Sequence, residues 1–275
     1  MLAVILATLL AQTLAQTPNI SVTVEPRVES LRYRFENPSS FDTVELVPHF
    51  FEQTYDTDNV WLGLRARYRL LNRAAETQAA FTPQVTAQAD DIDTFFQSDG
   101  DVVVSGTIGT ASLRAWEVGQ RVVVGASGNI QYGLGYSYRR DSARYHDGTR
   151  ITRRSSPPSE IRELVTTREF VASQVHQAVW FARWSAGADR PFSMLFEASP
   201  FTLGRLAIEL PDKYPGRTIV FRSRAAVLAG EAAFRWPMAS MNVELAARAS
   251  RSFSYSRGAA MRLGGASLVL RVGTR

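Results

Sequence analysis

The chain has 275 residues, a formal net charge of +5, 45% hydrophobic residues and no cysteine. Neither disulfides nor thiolate metal sites are therefore available, and a total of three histidines argues against a histidine-rich metal centre. Nearly all basic residues are arginine, and they give the second half of the chain (138–275) a net charge of +11 against −6 for residues 1–137. This asymmetry is typical of an anionic partner. No helix or recognised module concentrates the charge, however, so we expect no nucleic-acid binding.

The N-terminal segment MLAVILATLLAQTLAQTPN has the pattern of a secretory signal. Residues 2–11 are almost wholly apolar, and the step Thr13-Leu14-Ala15 offers a small residue before cleavage. The apolar run is too short to span a membrane as a helix. We therefore predict a signal peptide over residues 1–15 and one β domain over residues 16–275, with a buried first helix as the alternative.

The rest of the chain alternates with period two, which indicates half-buried β-strands. In residues 60–71, VWLGLRARYRLL, one face is apolar and the other carries three arginines. Residues 81–90, FTPQVTAQAD, residues 130–139, IQYGLGYSYR, and residues 243–250, VELAARAS, alternate in the same way. Turn-forming residues separate these runs, and about 10–12 strands result. The long polar stretch 141–163 is predicted to be an exposed loop.

Two all-β architectures share this alternation. In a soluble sandwich the apolar faces meet each other, whereas in a transmembrane barrel they meet lipid and the polar faces line a lumen. The export signal favours the barrel, and so does the mixed polar face, because opposite charges can satisfy one another in a confined lumen. Aromatic residues near strand ends are typical of membrane-interface girdles; they are Tyr68, Trp116, Tyr132, Tyr136, Tyr138, Trp180, Trp184 and Trp236. We predict an antiparallel up-and-down transmembrane β-barrel, located in the bacterial outer membrane.

One stretch adds a resemblance. Residues 215–238, PGRTIVFRSRAAVLAGEAAFRWPM, resemble late barrel strands of the bacterial surface-antigen family, through Phe221-Arg222 and the run from Glu231 to Pro237. The likeness covers about a tenth of the chain, and the family's Arg-Gly-Tyr/Phe motif is absent, so its transport activity is not carried over. The layout of short turns, one long loop and a C-terminal strand is also similar to omptin-type barrels. The chain lacks the terminal aromatic residue common in such proteins.

The polar strand faces give the expected lumen lining. If the lumen is open, its arginines would favour small anions; at 10–12 strands it can instead be filled by side chains. The predicted lining residues are Arg65, Arg67, Arg69, Gln84, Gln88, Gln131, Arg222, Arg224, Glu244 and Arg248.

Two groups of residues offer an alternative, catalytic or cation-binding, chemistry. The stretch QADDIDTFFQSDGD clusters carboxylates, which can share a proton or bind a hard cation. A histidine beside an aspartate in RYHDGTRIT could be half of a water-activating pair, although the Asp-x-His order of omptin-like proteases is absent. The candidates are Asp90, Asp91, Asp93, His146 and Asp147.

The sequence therefore predicts an integral barrel in contact with outer-membrane lipid. Its function would be structural or that of a narrow pore, without catalysis and without metal or cofactor. A barrel hydrolase acting on peptides or lipids and a soluble periplasmic ligand-binding β domain remain the alternatives. The sequence leaves the oligomeric state open.

Overall fold

The computed structural model describes residues 20–42, 47–165, 168–186, 191–212, 215–238, 241–255 and 260–274. The predicted signal peptide lies outside these residues. Within them no helix is long and apolar enough to cross a membrane. The described chain forms eleven strands: β1 Ser21–Asp42, β2 Val47–Leu70, β3 Arg73–Phe96, β4 Val102–Ser127, β5 Ile130–Ser155, β6 Pro158–Val165, β7 Phe170–Ser185, β8 Phe192–Glu209, β9 Thr218–Pro237, β10 Met241–Ser254 and β11 Ala260–Thr274.

Ten of these strands close into a barrel. Each pairs antiparallel with its neighbours in the order β1-β2-β3-β4-β5-β7-β8-β9-β10-β11, and β11 pairs back onto β1. Strand β6 pairs only with β5, over residues 148–155 of that strand. The predicted antiparallel up-and-down barrel is confirmed. The predicted loop 141–163 is instead a β5–β6 hairpin, because its alternating Arg, Thr, Ile and Glu residues support strand pairing.

The two ends of the barrel differ. At the end where β1 begins and β11 finishes, here called the near end, β2–β3 and β4–β5 are joined by two-residue turns. Leu71 and Asn72 both have positive φ, as a type I′ hairpin turn requires. At the opposite, far end, Asp101 ties the β3–β4 turn to the β5–β6 hairpin by accepting hydrogen bonds from the backbone N–H of Ser155 and Ser156.

Strand length shows that the barrel is taller than a bilayer requires. Strands β2 to β5 have 24 to 26 residues, whereas about 9–11 tilted residues cross the hydrocarbon. More than half of each long strand therefore has a different environment from the part that could face lipid.

The polarity of the two strand faces inverts along the barrel axis. In the half next to the near end the outer wall is apolar, with Val60 and Leu64 exposed on β2 and Leu268 on β11, while Arg65 and Arg271 are buried inside. In the half next to the far end, buried apolar residues such as Leu113 and Leu206 fill the lumen. Polar and charged residues cover the outer wall there. The near half is patterned like a membrane protein and the far half like a water-soluble one.

Candidate functional site

The near half of the lumen is filled by an ion-pair network with Arg271 at its centre. The Arg271 guanidinium donates hydrogen bonds to Glu25 at 2.6 Å, to both carboxylate oxygens of Glu231 at 2.7 Å, and to Glu244 at 2.6 Å. These carboxylates come from β1, β9 and β10, so one buried side chain on β11 connects four strands. The planar fork of arginine suits such multiple pairing.

The same network continues along the wall through Arg65 on β2, whose partners lie on the neighbouring strands β1 and β3. Its guanidinium lies 2.8 Å from Glu25 and 3.1 Å from Glu76. Glu76 on β3 also contacts Arg67, Arg121 and Arg183 at 2.9–3.2 Å. Because Arg183 is on β7, these contacts span the lumen at this level.

A small polar chamber lies above the network. Its volume is about 140 Å³, enough for a few water molecules. Trp61 on β2 is fully buried beside it, with the guanidinium groups of Arg27 and Arg139 at 4.5 and 4.9 Å from its ring. Arg27 donates to Glu117 across the barrel at 2.7 Å. Paired charges therefore line the chamber, and Arg121, Glu197 and Arg248 of the ion-paired interior are among its lining residues.

An apolar layer closes the lumen above the chamber. Its side chains come from every described barrel strand from β2 to β8 except β6, and they pack as the core of a soluble domain does. The buried members are Tyr55, Ala87, Ala89, Ala111, Leu113, Ala143, Tyr145, Val171, Val175, Leu206 and Ile208.

Beyond this layer, acidic side chains gather at the far mouth. Gln53 on β2 donates to Glu169, which immediately precedes β7, at 2.8 Å across the lumen. Burial raises the pKa of Glu169 to about 7, the bond from Gln53 opposes this, and the nearby charge of Asp93 adds to it. A carboxyl group with this pKa exchanges its proton near neutrality and can act as a general acid or base.

The structure places six of the ten predicted lining residues on the inner face. Arg65, Arg67 and Glu244 belong to the ion-pair network, and Arg248 pairs with Glu197. Arg69 and Gln131 lie on the inward-facing sets of β2 and β5, but both are exposed at the near-end rim.

The other four lie on the outer wall: Gln84, Gln88, Arg222 and Arg224. On β3 a β-bulge between Thr82 and Val85 shifts the alternation by one residue. Before it Thr82 points inward, and after it Ala87 does. Gln84 therefore turns outward, where it accepts hydrogen bonds from Arg114.

The two arginines on β9 turn outward for a different reason. They lie in the far half, where the inward positions are apolar: Phe221 packs against the apolar layer and Ser223 and Ala225 are buried. The rule that the polar face lines the lumen holds only beside lipid. This part of β9 lies beyond the inversion, so its arginines face out.

The alternative catalytic candidates separate in the same way. Asp91 and Asp93 share the inward-facing set of β3 with buried Ala87 and Ala89, whereas Asp90 lies on the outward set. The side chains of His146 and Asp147 lie outside the described residues. Among those that are described, no group of three or more His, Asp or Glu side chains is placed to hold a metal ion.

Arg271, at the centre of the network, is not among the predicted lining residues. Arg271 stands in ASLVLRV between the apolar Leu270 and Val272, and this alternation marks it as an inward residue. Glu76 and Arg121 carry the same period-two signal on β3 and β4. Glu169 carries no such local sequence signal, because only the closure of the barrel brings it next to Gln53.

One comparison with a solved structure supports the architecture. Over 94% of this chain and 96% of the other, the structure is similar to the outer-membrane protease OmpT of Escherichia coli, with a TM-score of 0.59 and 11% identity. An outer-membrane channel from Pseudomonas putida F1 also matches, with a TM-score of 0.29, 10% identity and coverages of 90% and 94%. The translocator domain of the autotransporter NalP from Neisseria meningitidis gives a TM-score of 0.29, 12% identity and coverages of 98% and 99%.

No family model matches the chain, and no curated protein matches it in sequence. At 11% identity the likeness to OmpT shows the fold alone. The chain has the fold of bacterial outer-membrane β-barrel proteins.

Proposed function

We propose that the chain is exported to the bacterial outer membrane and serves there as a closed, structural barrel that carries a water-exposed β extension. The inversion of wall polarity supports the membrane position. The near half exposes apolar and aromatic residues that suit lipid, while the far half has the charged outer wall and apolar interior that suit water.

The observation that carries the closed state is the pair of layers across the lumen. The ion-pair network blocks the near half and the apolar layer blocks the far half, with the chamber of about 140 Å³ between them. Passage of small anions would require both layers to open at once. We therefore favour a structural role over the porin-like pore that an arginine-lined lumen initially indicates.

Two measurements test this function. Cell fractionation with gel migration before and after boiling tests the barrel in lipid: a band in the outer-membrane fraction that shifts on heating supports it, and a soluble band without a shift rejects it. Planar-bilayer recording then tests closure. We expect no steady conductance from the wild-type protein, and a stable open level would reject the closed state.

A matched pair of variants sharpens the bilayer measurement. Leu206→Gly removes a buried side chain from the apolar layer only, and Arg65→Gly removes one from the network only. Because the two layers lie in series, each single variant should stay silent and the double variant should conduct. Conductance from either single variant would show that one layer alone closes the lumen.

The far mouth supports a second candidate function, hydrolysis. The observation that favours it is the buried carboxyl of Glu169 beside Asp93, with a pKa near neutrality. Such a group can take a proton from an attacking water. OmpT is named a protease, and we extend that activity to this chain only as a proposal. Cleavage of a peptide library by wild-type protein, lost in Glu169→Gln, would support it; no cleavage by the wild type would reject it.

A further inference from the structure

A row of arginines crosses the outer wall where β5, β7, β8 and β9 lie side by side. Arg140 is opposite Gln174, Gln174 is opposite Arg205, and Arg205 is opposite Arg222. All four positions are on the outward-facing sets of their strands. Directly opposite like charges, such as Arg205 and Arg222, destabilise an antiparallel pair.

This row, Arg140, Arg205 and Arg222, brings three arginines together without the acidic partners that the arginines of the ion-pair network have. Some other outward arginines are paired with carboxylates, as Arg32 is with Asp56 at 2.8 Å and Arg262 with Glu36 at 3.4 Å. For the three arginines of the row, no ion pair with a carboxylate occurs in the part of the chain that the structure describes. An uncompensated positive row at a fixed register points to an anionic ligand.

The row lies where the apolar outer wall ends. One step toward the near end, Tyr138, His176 and Leu203 occupy the same three strands as Arg140, Gln174 and Arg205. The Tyr138 ring lies 4.9 Å from Trp116 and 4.7 Å from His176, and Leu203 is half exposed. Aromatic and apolar residues followed by arginine are the order expected at the level of lipid headgroups.

On the far side of the row the wall forms a depression of about 490 Å³. Its floor is made by small side chains on adjacent strands, and Arg114 and Arg144 stand on its rim. Its one described acidic residue, Glu209, accepts a hydrogen bond from Thr218. The floor residues are Ser112, Ser142, Ala172 and Ala207. The depression gives a bulky polar headgroup space next to the arginine row.

We propose that this surface, the arginine row together with the depression, binds the phosphate-bearing headgroup of a membrane lipid. The phosphate contacts Arg205 and Arg222, whose guanidinium forks match its oxygens. The acyl chains lie along the apolar wall beside Tyr138 and Leu203. The positive charge of the row and its continuity with the apolar wall select a phosphorylated lipid as the occupant. The proposal rests on the membrane position proposed above.

Native mass spectrometry of the purified barrel tests this site. The protein in detergent is titrated with dioleoyl phosphatidic acid or, separately, with dioleoyl phosphatidylcholine. We expect preferential retention of phosphatidic acid by the wild type and a loss of roughly tenfold in its affinity in Arg205→Gln/Arg222→Gln, because charge-assisted hydrogen bonds are removed. The matched control, Arg251→Gln/Arg262→Gln, removes two outward arginines elsewhere on the wall and should bind as the wild type does.

Three results would overturn the proposal: no preference for phosphatidic acid, equal binding by both double variants, or displacement of the lipid by an equal concentration of inorganic phosphate. The last would mean a site for free phosphate. Gel migration before and after boiling checks that each variant is folded, and Arg140→Gln replaces the double variant if that does not fold. A heat-shifting membrane protein without phosphate preference contradicts this site alone, whereas a soluble protein contradicts the proposed function.

Discussion

Removing the Arg271 side chain tests whether the network stabilises the barrel through paired buried charges. In Arg271→Leu, Glu25 keeps Arg65 at 2.8 Å and Glu244 keeps Arg235 at 3.1 Å. Glu231 has no second ion pair among the described residues. The variant therefore leaves the buried carboxylate of Glu231 without an ion pair within 4 Å, which is the costly outcome in a low-dielectric interior.

The expected loss follows from that single orphaned charge. Breaking a buried ion pair by removing one partner costs about 3–5 kcal/mol, whereas replacing both partners by apolar residues is often close to neutral. We expect Arg271→Leu to lower the free energy of unfolding by about 3–5 kcal/mol. Adding Glu231→Leu should recover about 2 kcal/mol or more of this loss. With a urea dependence of about 2 kcal/mol per M, the single variant should unfold at a midpoint roughly 1.5–2.5 M lower.

The assay is urea unfolding in lipid vesicles, followed by tryptophan fluorescence and by gel migration without boiling. Arg262→Gln is the control on the same strand, because its pair with Glu36 is exposed on the arginine side and should contribute at most about 1 kcal/mol. The reasoning is refuted if Arg271→Leu loses no more stability than this control. It is equally refuted if adding Glu231→Leu does not raise the urea midpoint above that of Arg271→Leu alone.

Two further predictions concern the far half. Because the chain has no cysteine, a single introduced thiol reports on one position. Gln88→Cys should react with a water-soluble maleimide, whereas Ala87→Cys should not, because Ala87 is only 1% exposed. Labelling of both variants, or of neither, would contradict the inverted polarity of the wall. For Glu169, the raised pKa means that the folded state binds the proton more tightly than the unfolded state. Stability is then lost as pH rises from about 4.5 to about 7, so Glu169→Gln should raise the urea midpoint at pH 8 and change it little at about pH 4, below both pKa values; equal shifts at both would contradict the assignment.

The fold could be predicted from the sequence because period-two alternation depends only on neighbouring residues. It indicates strands whether the apolar face meets lipid or a core. Alternation alone does not tell which strands close the barrel, because closure depends on strand pairing. Strand β6 alternates like the others, but in the described structure it pairs with β5 and does not join the ring. Closure depends on β1 meeting β11, residues more than 200 positions apart, and no local pattern carries that contact.

The residues that line the lumen are harder to predict than the strands, because two effects change whether the polar face of a strand points inward or outward. The bulge between Thr82 and Val85 reverses which set of β3 points inward, and its one local signal is Pro83, a residue that interrupts strand pairing. For Arg222 and Arg224 the alternation is regular, but the outer solvent has changed from lipid to water. A sequence reading that uses one rule for the whole strand must place these arginines inside.

The two closing layers follow from the two solvents outside. A strand has only two faces, so beside lipid the apolar face must turn outward and the polar face inward, where buried charges are tolerated only when paired. In a barrel of ten strands, ion pairs such as Glu76 with Arg183 and Arg121 with Glu197 can reach across the lumen, and this pairing fills it. Beyond the lipid, the polar strand face points outward into water. The apolar face therefore points inward, where Leu113 and Leu206 pack as an ordinary core. An open pore would require water to take the place of one of these ion-pair partners. With ten strands the lumen is narrow enough for the long arginine side chains to reach a carboxylate of the protein instead.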